Sequence, residues 1–368
     1  MESFGGGVFE IVRLLAERLA AGGDQVAIAY GRRPETPVDV RASVDGRVDL
    51  YALPWVTRRP HAQPTAGRAI RRTAAEWRPD VVHLHSSFAG VVGLAALRGR
   101  VPLVYTPHGY SFTMRDQGRL RPGVYRAVER RVARGVDVVG AVSETEARAA
   151  REVLGAPRVA VVPNGIPELD PGALPPAAKP ERPRVICMGR VDEARRPESC
   201  ARILRSLSDV AEVAWVGGGG RREGADRPLI EAGITPTGWL GRAEALAWLG
   251  GSTAYLHWAA WDGQPVTVLE AMARDVAVVG SDIPPIRELL GPTGVCGSEA
   301  EAIELLRSVL TDPDRRAELI DSQRATRARY GADRMARDWQ DLYRRLISPG
   351  RMVEDASAGF EGGRRPPK

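Results

Sequence analysis

Only three cysteines stand in this 368-residue chain, Cys187, Cys200 and Cys296, and none forms a CxxC pair. A disulfide scaffold is thereby excluded, and an odd number of cysteines in so long a chain predicts reduced thiols. Missing too is any apolar run near the ~18 residues that a membrane span needs. The N-terminus has no basic segment leading into an apolar stretch, so no export signal is expected. The 40 glycines and 28 prolines are dispersed, which rules out a collagen-like chain. Zinc-finger spacing, leucine-zipper heptads and RNP-like aromatic motifs are all absent, so nucleic acid is not an expected partner. With 43% hydrophobic and 27% charged residues the balance is that of a globular protein, and reduced cysteines predict a cytoplasmic one. At ~150 residues per domain the length predicts two or three domains.

Lysine is nearly absent as well: of 52 basic residues only Lys179 and Lys368 are lysines. The net charge of +6 is uneven, with 24 Arg against 17 acidic residues in 1–168 but 24 basic against 26 acidic residues in 169–346. Arg58, Arg59, Arg71 and Arg72, with the arginines from Arg115 to Arg134, offer a peripheral contact to anionic lipid headgroups or an acidic acceptor. A solvated arginine-rich surface is the plainer reading.

Apolar runs rich in β-branched residues alternate with segments of helical period, which predicts an α/β protein with two Rossmann-like, parallel-sheet domains. Strands are expected at 25–30, 48–53, 80–85, 102–106, 137–142 and 158–162 in a domain spanning 1–166. A proline-rich linker follows over 167–183. The second domain, 184–346, is expected to hold strands at 184–188, 212–216, 253–257 and 276–280, then a long helical stretch. Residues 347–368, rich in Gly, Pro and charge, predict a disordered tail. At the start, Gly5, Gly6 and Gly7 open an amphipathic helix with no strand before them. A first parallel strand is therefore expected from codons upstream of Met1.

Among the motifs, Gly5-Gly6-Gly7 aims helix amides at an anion, but GxGxxG is not met, so Arg32 and Arg33 are weak grounds for NADP. His83 and His85 share one strand face, yet no third metal ligand is evident, and no metal is expected. His108, directly after a strand, stands where parallel sheets place their ligand crevice. Asp312-Pro313-Asp314 imitates a metal-binding DxD but reads as a helix cap. The strongest segment runs from Trp261 to Ala273: Asp262 before a Gly263-Gln264-Pro265 turn, then Glu270 inside the helix that the turn opens. Carboxylates so placed can accept from sugar hydroxyls while the helix N-terminus receives phosphate. Arg190 at a strand end and Arg195 and Arg196 before a helix suit a diphosphate clamp. The plainer readings are a cap for Asp262, a solvated helix face for Glu270 and surface charge for either arginine alone.

Taken in order, the Gly-rich turn, Asp80 to His85, Thr106 to Gly109, Val142 to Glu144, Val162 to Gly165, Gly189-Arg190 and the acid pair resemble the retaining glycosyltransferases of family 4, over nearly the whole chain. That resemblance implies the GT-B fold, two Rossmann-like domains facing a cleft, and no cofactor. It implies that Gly6 and Gly7 adjoin the donor diphosphate, that His108 meets the transferred sugar, and that Arg190 and Arg195 grip the diphosphate. Asp262 and the backbone of Gly263, Gln264, Pro265, Val266 and Thr267 would bind the sugar, Glu270 the ribose, and Trp239 would lie near the base. Trp339 and Leu342 would pack back on the first domain. Three departures stand out: the family's first glutamate is Asp262 here, its clamp lysine is Arg195, a broader fork, and its first strand is absent. The expected reaction moves a sugar from a nucleotide-diphosphate donor, UDP by default, to a small-molecule or lipid-linked acceptor. A nucleotide-sugar epimerase and a non-catalytic sugar-nucleotide-binding protein are the alternatives.

Overall fold

The computed structural model describes residues 1, 4, 6–32, 36, 39–54, 63–110, 112, 121–166, 180–219 and 224–348. Gly5, Arg33, Arg58, Arg59, Arg115, most of the expected linker (167–179) and the tail from 349 lie outside them. The first half comprises α1 (Gly6–Ala21), β1 (Val26–Tyr30), β2 (Val48–Ala52), α2 (Gln63–Trp77), β3 (Val82–His85), α3 (Ser87–Leu97), β4 (Leu103–Thr106), α4 (Arg121–Gly135), β5 (Val138–Ala141), α5 (Glu144–Arg148) and β6 (Val159–Val161). The second comprises β7 (Arg184–Met188), α6 (Pro197–Arg205), β8 (Glu212–Val216), α7 (Arg227–Glu231), α8 (Arg242–Gly250), β9 (Ala254–His257), α9 (Val266–Ala273), β10 (Ala277–Ser281), α10 (Pro284–Leu290), β11 (Val295–Cys296), α11 (Glu299–Thr311), α12 (Pro313–Arg327) and α13 (Ala332–Ile347).

Each expected strand is present within two residues, and every strand pairing is parallel. One strand was not anticipated: the two-residue β11 is too short to carry a periodic signal. The expected C-terminal helical stretch is made of three helices, α11 to α13. Asp312 makes the first break, its Oδ1 accepting from the amides of Asp314 and Arg315; the DxD look-alike is a cap.

The second half forms one five-stranded sheet, ordered β11-β10-β9-β7-β8, with apolar cores on both faces. In the first half β3-β4-β5-β6 form one sheet and β1-β2 another, with no ladder between β1 and β3 among the described residues. Met1 lies along β1: its ammonium donates to the Ala29 carbonyl at 2.7 Å, and its carbonyl accepts from Gly31 at 3.2 Å, the two bonds of a parallel bridge opposite Tyr30. Burial lowers the Met1 ammonium pKa to about 5. α13 returns to the first half, where Trp339, 3% exposed, packs with Ile11, Leu14 and Leu15 of α1 and Val104 of β4, and Leu342 lies against the same cluster. Trp339 sits so close to Gly140 that a Cβ there has no room. Gly331 bridges back to Ile166, so the start of α13 lies beside the end of the first half.

Candidate active site between the two halves

Both walls of the site are built from loops that leave the carboxyl ends of parallel strands, where such sheets present ligands. On the first wall β4 runs into His108 and Gly109, both left-handed, at φ 54 and 98. For a histidine this backbone is strained, and a buried carboxylate holds it. Glu146, 4% exposed, accepts from the Gly109 amide at 2.7 Å and from the Val142 amide at 2.8 Å. Burial raises its pKa to about 7 against the pull of those two amides. His108 Nε2 lies 3.0 Å from His85 Nδ1, and burial lowers the His108 pKa to about 4. The His83 and His85 rings lie 3.8 Å apart, tilted at 33°, with His83 bonded to Tyr343 and Thr106. These two histidines serve as packed supports of the His108 loop.

The opposite wall carries the acid pair. Asp262 Oδ2 accepts from Arg195 Nη1 at 2.7 Å, and Oδ1 accepts from the Gly263 amide at 2.8 Å. Burial opposes the Asp262 charge, but the adjacent Arg195 guanidinium outweighs it and holds the pKa below the carboxylate range. Expected to serve diphosphate and sugar separately, Arg195 and Asp262 are here paired with each other. Glu270, 5% exposed, is no solvated helix face: Oε1 accepts from Arg242 Nη2 at 2.5 Å. Burial raises the Glu270 pKa, with Arg242 opposing. Arg242 also reaches Glu10 of α1 at 3.0 Å, so one guanidinium joins the two halves across the site.

The walls touch. A Cβ on Gly263 would stand 2.9 Å from the Gly109 nitrogen and 3.0 Å from the His108 carbonyl carbon. Gly7 faces Val266, where a Cβ would sit 3.4 Å from Cγ2, and Gly6 opens α1 at φ 70. Gln264, expected at the sugar, spends its side-chain oxygen on the Asn164 amide at 2.7 Å. Pro265 caps the N-terminus of α9, and Thr267 bonds Tyr255. Arg190 turns toward Asp192 at 3.9 Å, Arg196 is left-handed at φ 45 ahead of Pro197, and Trp239 is 60% exposed. Between Glu10, Arg242, Val266 and Glu270 runs a narrow cleft that the surrounding side chains nearly fill.

Three contributors were not anticipated. His257, the last residue of β9, lies 2.9 Å from Arg195 Nη1 and 3.2 Å from Asp262 Oδ2. The strand-end rule that singles out His108 applies equally to it. Arg242 and Glu146 find partners 28 and 37 residues away, and no local pattern marks them.

Two parallel-sheet halves closing on cations, a carboxylate pair and a helix N-terminus define the GT-B class of glycosyltransferase. Residues 5–168 match the family described as Glycosyltransferase Family 4, and residues 182–312 match Glycosyl transferases group 1. The chain belongs to this family. It is 24% identical over 232 residues to an "Uncharacterized 41.2 kDa protein in cps region" of Klebsiella pneumoniae. That match covers 59% of this chain and 64% of the relative, so the chain spans less than two-thirds of the relative's length. Among solved structures, a sucrose-phosphate synthase from Thermosynechococcus elongatus superposes with a TM-score of 0.81 at 18% identity, covering 95% of each chain. Anabaena HepE in complex with UDP-glucose gives 0.72 at 14% identity, over 93% of this chain and 98% of that one. At these identities the likeness concerns the fold. Among the described residues no helix is long and apolar enough to cross a membrane.

Proposed function

We propose that this protein transfers a sugar from a UDP-sugar to an acceptor hydroxyl with retention at the anomeric carbon. The observation that carries the reading is the convergence of Arg195, Asp262 and the α9 N-terminus opposite the His108-Gly109 turn. In this reading Arg190 and Arg195 meet the diphosphate, and their fixed charge stabilises the leaving group as the bond from C1 to the phosphate oxygen breaks. The acceptor oxygen bonds to C1 on the same face, its proton passes to the departing phosphate oxygen, and UDP leaves. Asp262 holds sugar hydroxyls, Glu270 the ribose and His108 the sugar's far side, with Trp239 near the base. No metal is assigned a role.

A saccharide is the acceptor in this reading. Exposed Arg68, Arg71 and Arg72 on α2, and Arg126, Arg131 and Arg134 beside exposed Val124 and Val128 on α4, support a lipid-linked form of it at a membrane surface.

The test is thermal shift with UDP, GDP, ADP and NADPH, without added metal. A ligand at ~100 times its dissociation constant adds about 2.7 kcal/mol of stability. A selective rise with UDP is expected; a rise with NADPH alone overturns the reading. Once a donor is found, Arg190→Ala should lose on the order of 10²-fold in turnover, as for one oxyanion donor. Near wild-type turnover would remove Arg190 from the clamp.

A further inference from the structure

His257 is fully buried at the end of β9, and three polar groups converge on its ring. Arg195 Nη1 lies 2.9 Å from Nε2, Asp262 Oδ2 lies 3.2 Å from the same nitrogen, and the Tyr255 hydroxyl lies 2.9 Å from Nδ1. Tyr255 in turn reaches the Thr267 hydroxyl at 2.9 Å, in the first turn of α9. A neutral imidazole has one N–H and one lone pair, so Nε2 cannot accept from Arg195 and donate to Asp262 at once. The distances decide the ground arrangement. The two hydrogens of Arg195 Nη1 go to Asp262 Oδ2 at 2.7 Å and to Nε2. Nε2 is then the acceptor, Nδ1 carries the proton and donates to Tyr255, and Tyr255 donates to Thr267. Every polar atom is served. Burial and the neighbouring Arg195 lower the His257 pKa to about 4, so the ring is neutral near pH 7.

This arrangement cannot survive a diphosphate that engages Arg195. With the guanidinium drawn away, Asp262 would face a bare nitrogen at the same distance, lone pair to lone pair, and would lose its cation. We propose that His257 is a positioning residue that takes Asp262 over from Arg195 when the donor binds. The ring gives up its Nδ1 proton and gains one at Nε2, both exchanged with water, so its charge stays zero. Nε2–H then donates to Asp262 Oδ2, and the Tyr255 and Thr267 hydroxyls rotate so that Tyr255 donates to Nδ1. Asp262 is one methylene shorter than glutamate and has few rotamers with which to find a new partner. A buried ring already in place keeps the carboxylate ionised and aimed while it receives sugar hydroxyls. The inference rests on the transferase reading, in which the diphosphate engages Arg195.

Long-range ¹H–¹⁵N spectra of the full chain with labelled histidine read the tautomer directly. The expected result is Nδ1–H for His257 in the free protein and Nε2–H with saturating UDP. Two variants add a functional readout with whichever UDP-sugar the wild-type protein turns over. His257→Leu should lower kcat by ~10- to 100-fold while UDP affinity stays within ~3-fold, and His257→Gln, whose amide reaches the Nε2 position, should restore most of kcat. An unchanged tautomer on UDP binding overturns the proposal, as does an equal loss in the Leu and Gln variants, which marks a packing role only. If His257→Leu does not fold, the spectra and the Gln variant still decide. Failure of UDP, GDP and ADP to bind at all would instead overturn the transferase reading beneath it.

Discussion

Gly263→Ala is the sharpest perturbation of the closed site. The added methyl carbon would stand 2.9 Å from the Gly109 nitrogen and 3.0 Å from the His108 carbonyl carbon, both backbone atoms that no rotamer change moves aside. Ordinary contact between such atoms is ~3.5–4.0 Å. The walls must therefore part by roughly 0.5–1 Å. Gly263 is not among the left-handed residues, so alanine suits its own backbone and folding is unaffected. Donor contacts on the second half are intact, and nucleotide affinity should stay within ~3-fold. Displacement of about 1 Å between reacting groups costs on the order of 10²-fold in rate, so kcat should fall ~10- to 100-fold at nearly constant KM for the donor. Steady-state turnover with a sugar donor carrying the nucleotide that the screen selects, alongside a melting curve, measures both. Wild-type kcat in a normally folded Gly263→Ala protein would show that the His108-Gly109 turn does not close on the sugar loop during turnover.

Two further outcomes are expected. Trp339→Ala removes a buried indole wedged between α1, β4 and Gly140 and should cost about 3–5 kcal/mol in urea unfolding; a loss under ~1 kcal/mol would mean that α13 is not part of the first-half core. Burial raises the Glu146 pKa to about 7 from an unfolded value near ~4.3, so the folded state binds this proton more tightly. Its contribution is fully present below ~4.3 and is lost as pH climbs through about 7. Urea midpoints across that window should therefore fall more steeply in the wild type than in Glu146→Gln, and parallel slopes would refute the assignment.

Much of this was legible because the relevant physics is local. Parallel strands announce themselves as short β-branched runs, and the break at Asp312-Pro313 is a capping signal written in adjacent residues. His108 and Asp262 could be found because the carboxyl ends of parallel strands are where ligands lie. The pairings within the site were not legible. Arg195 meets Asp262 over 67 residues, Glu288 takes the Glu144 amide over 144, and nothing in a single sequence encodes such separations. Glu270 shows the boundary well: its apolar neighbours say that a buried charge needs a partner, but only the fold shows Arg242 in that place.

The bridge between Met1 and Tyr30 has a consequence for how the first half comes apart. It gives β1 two hydrogen bonds along one edge, and among the described residues no ladder runs from β1 to β3. Among the described residues, side-chain packing through α1 and Trp339 joins the two sheets. Cooperative units of opening follow such seams. The β1-β2 pair and α1 should therefore exchange their amide hydrogens as one unit, and β3 to β6 as another, with the seam running beside the His83 and His85 strand that supports the His108 loop.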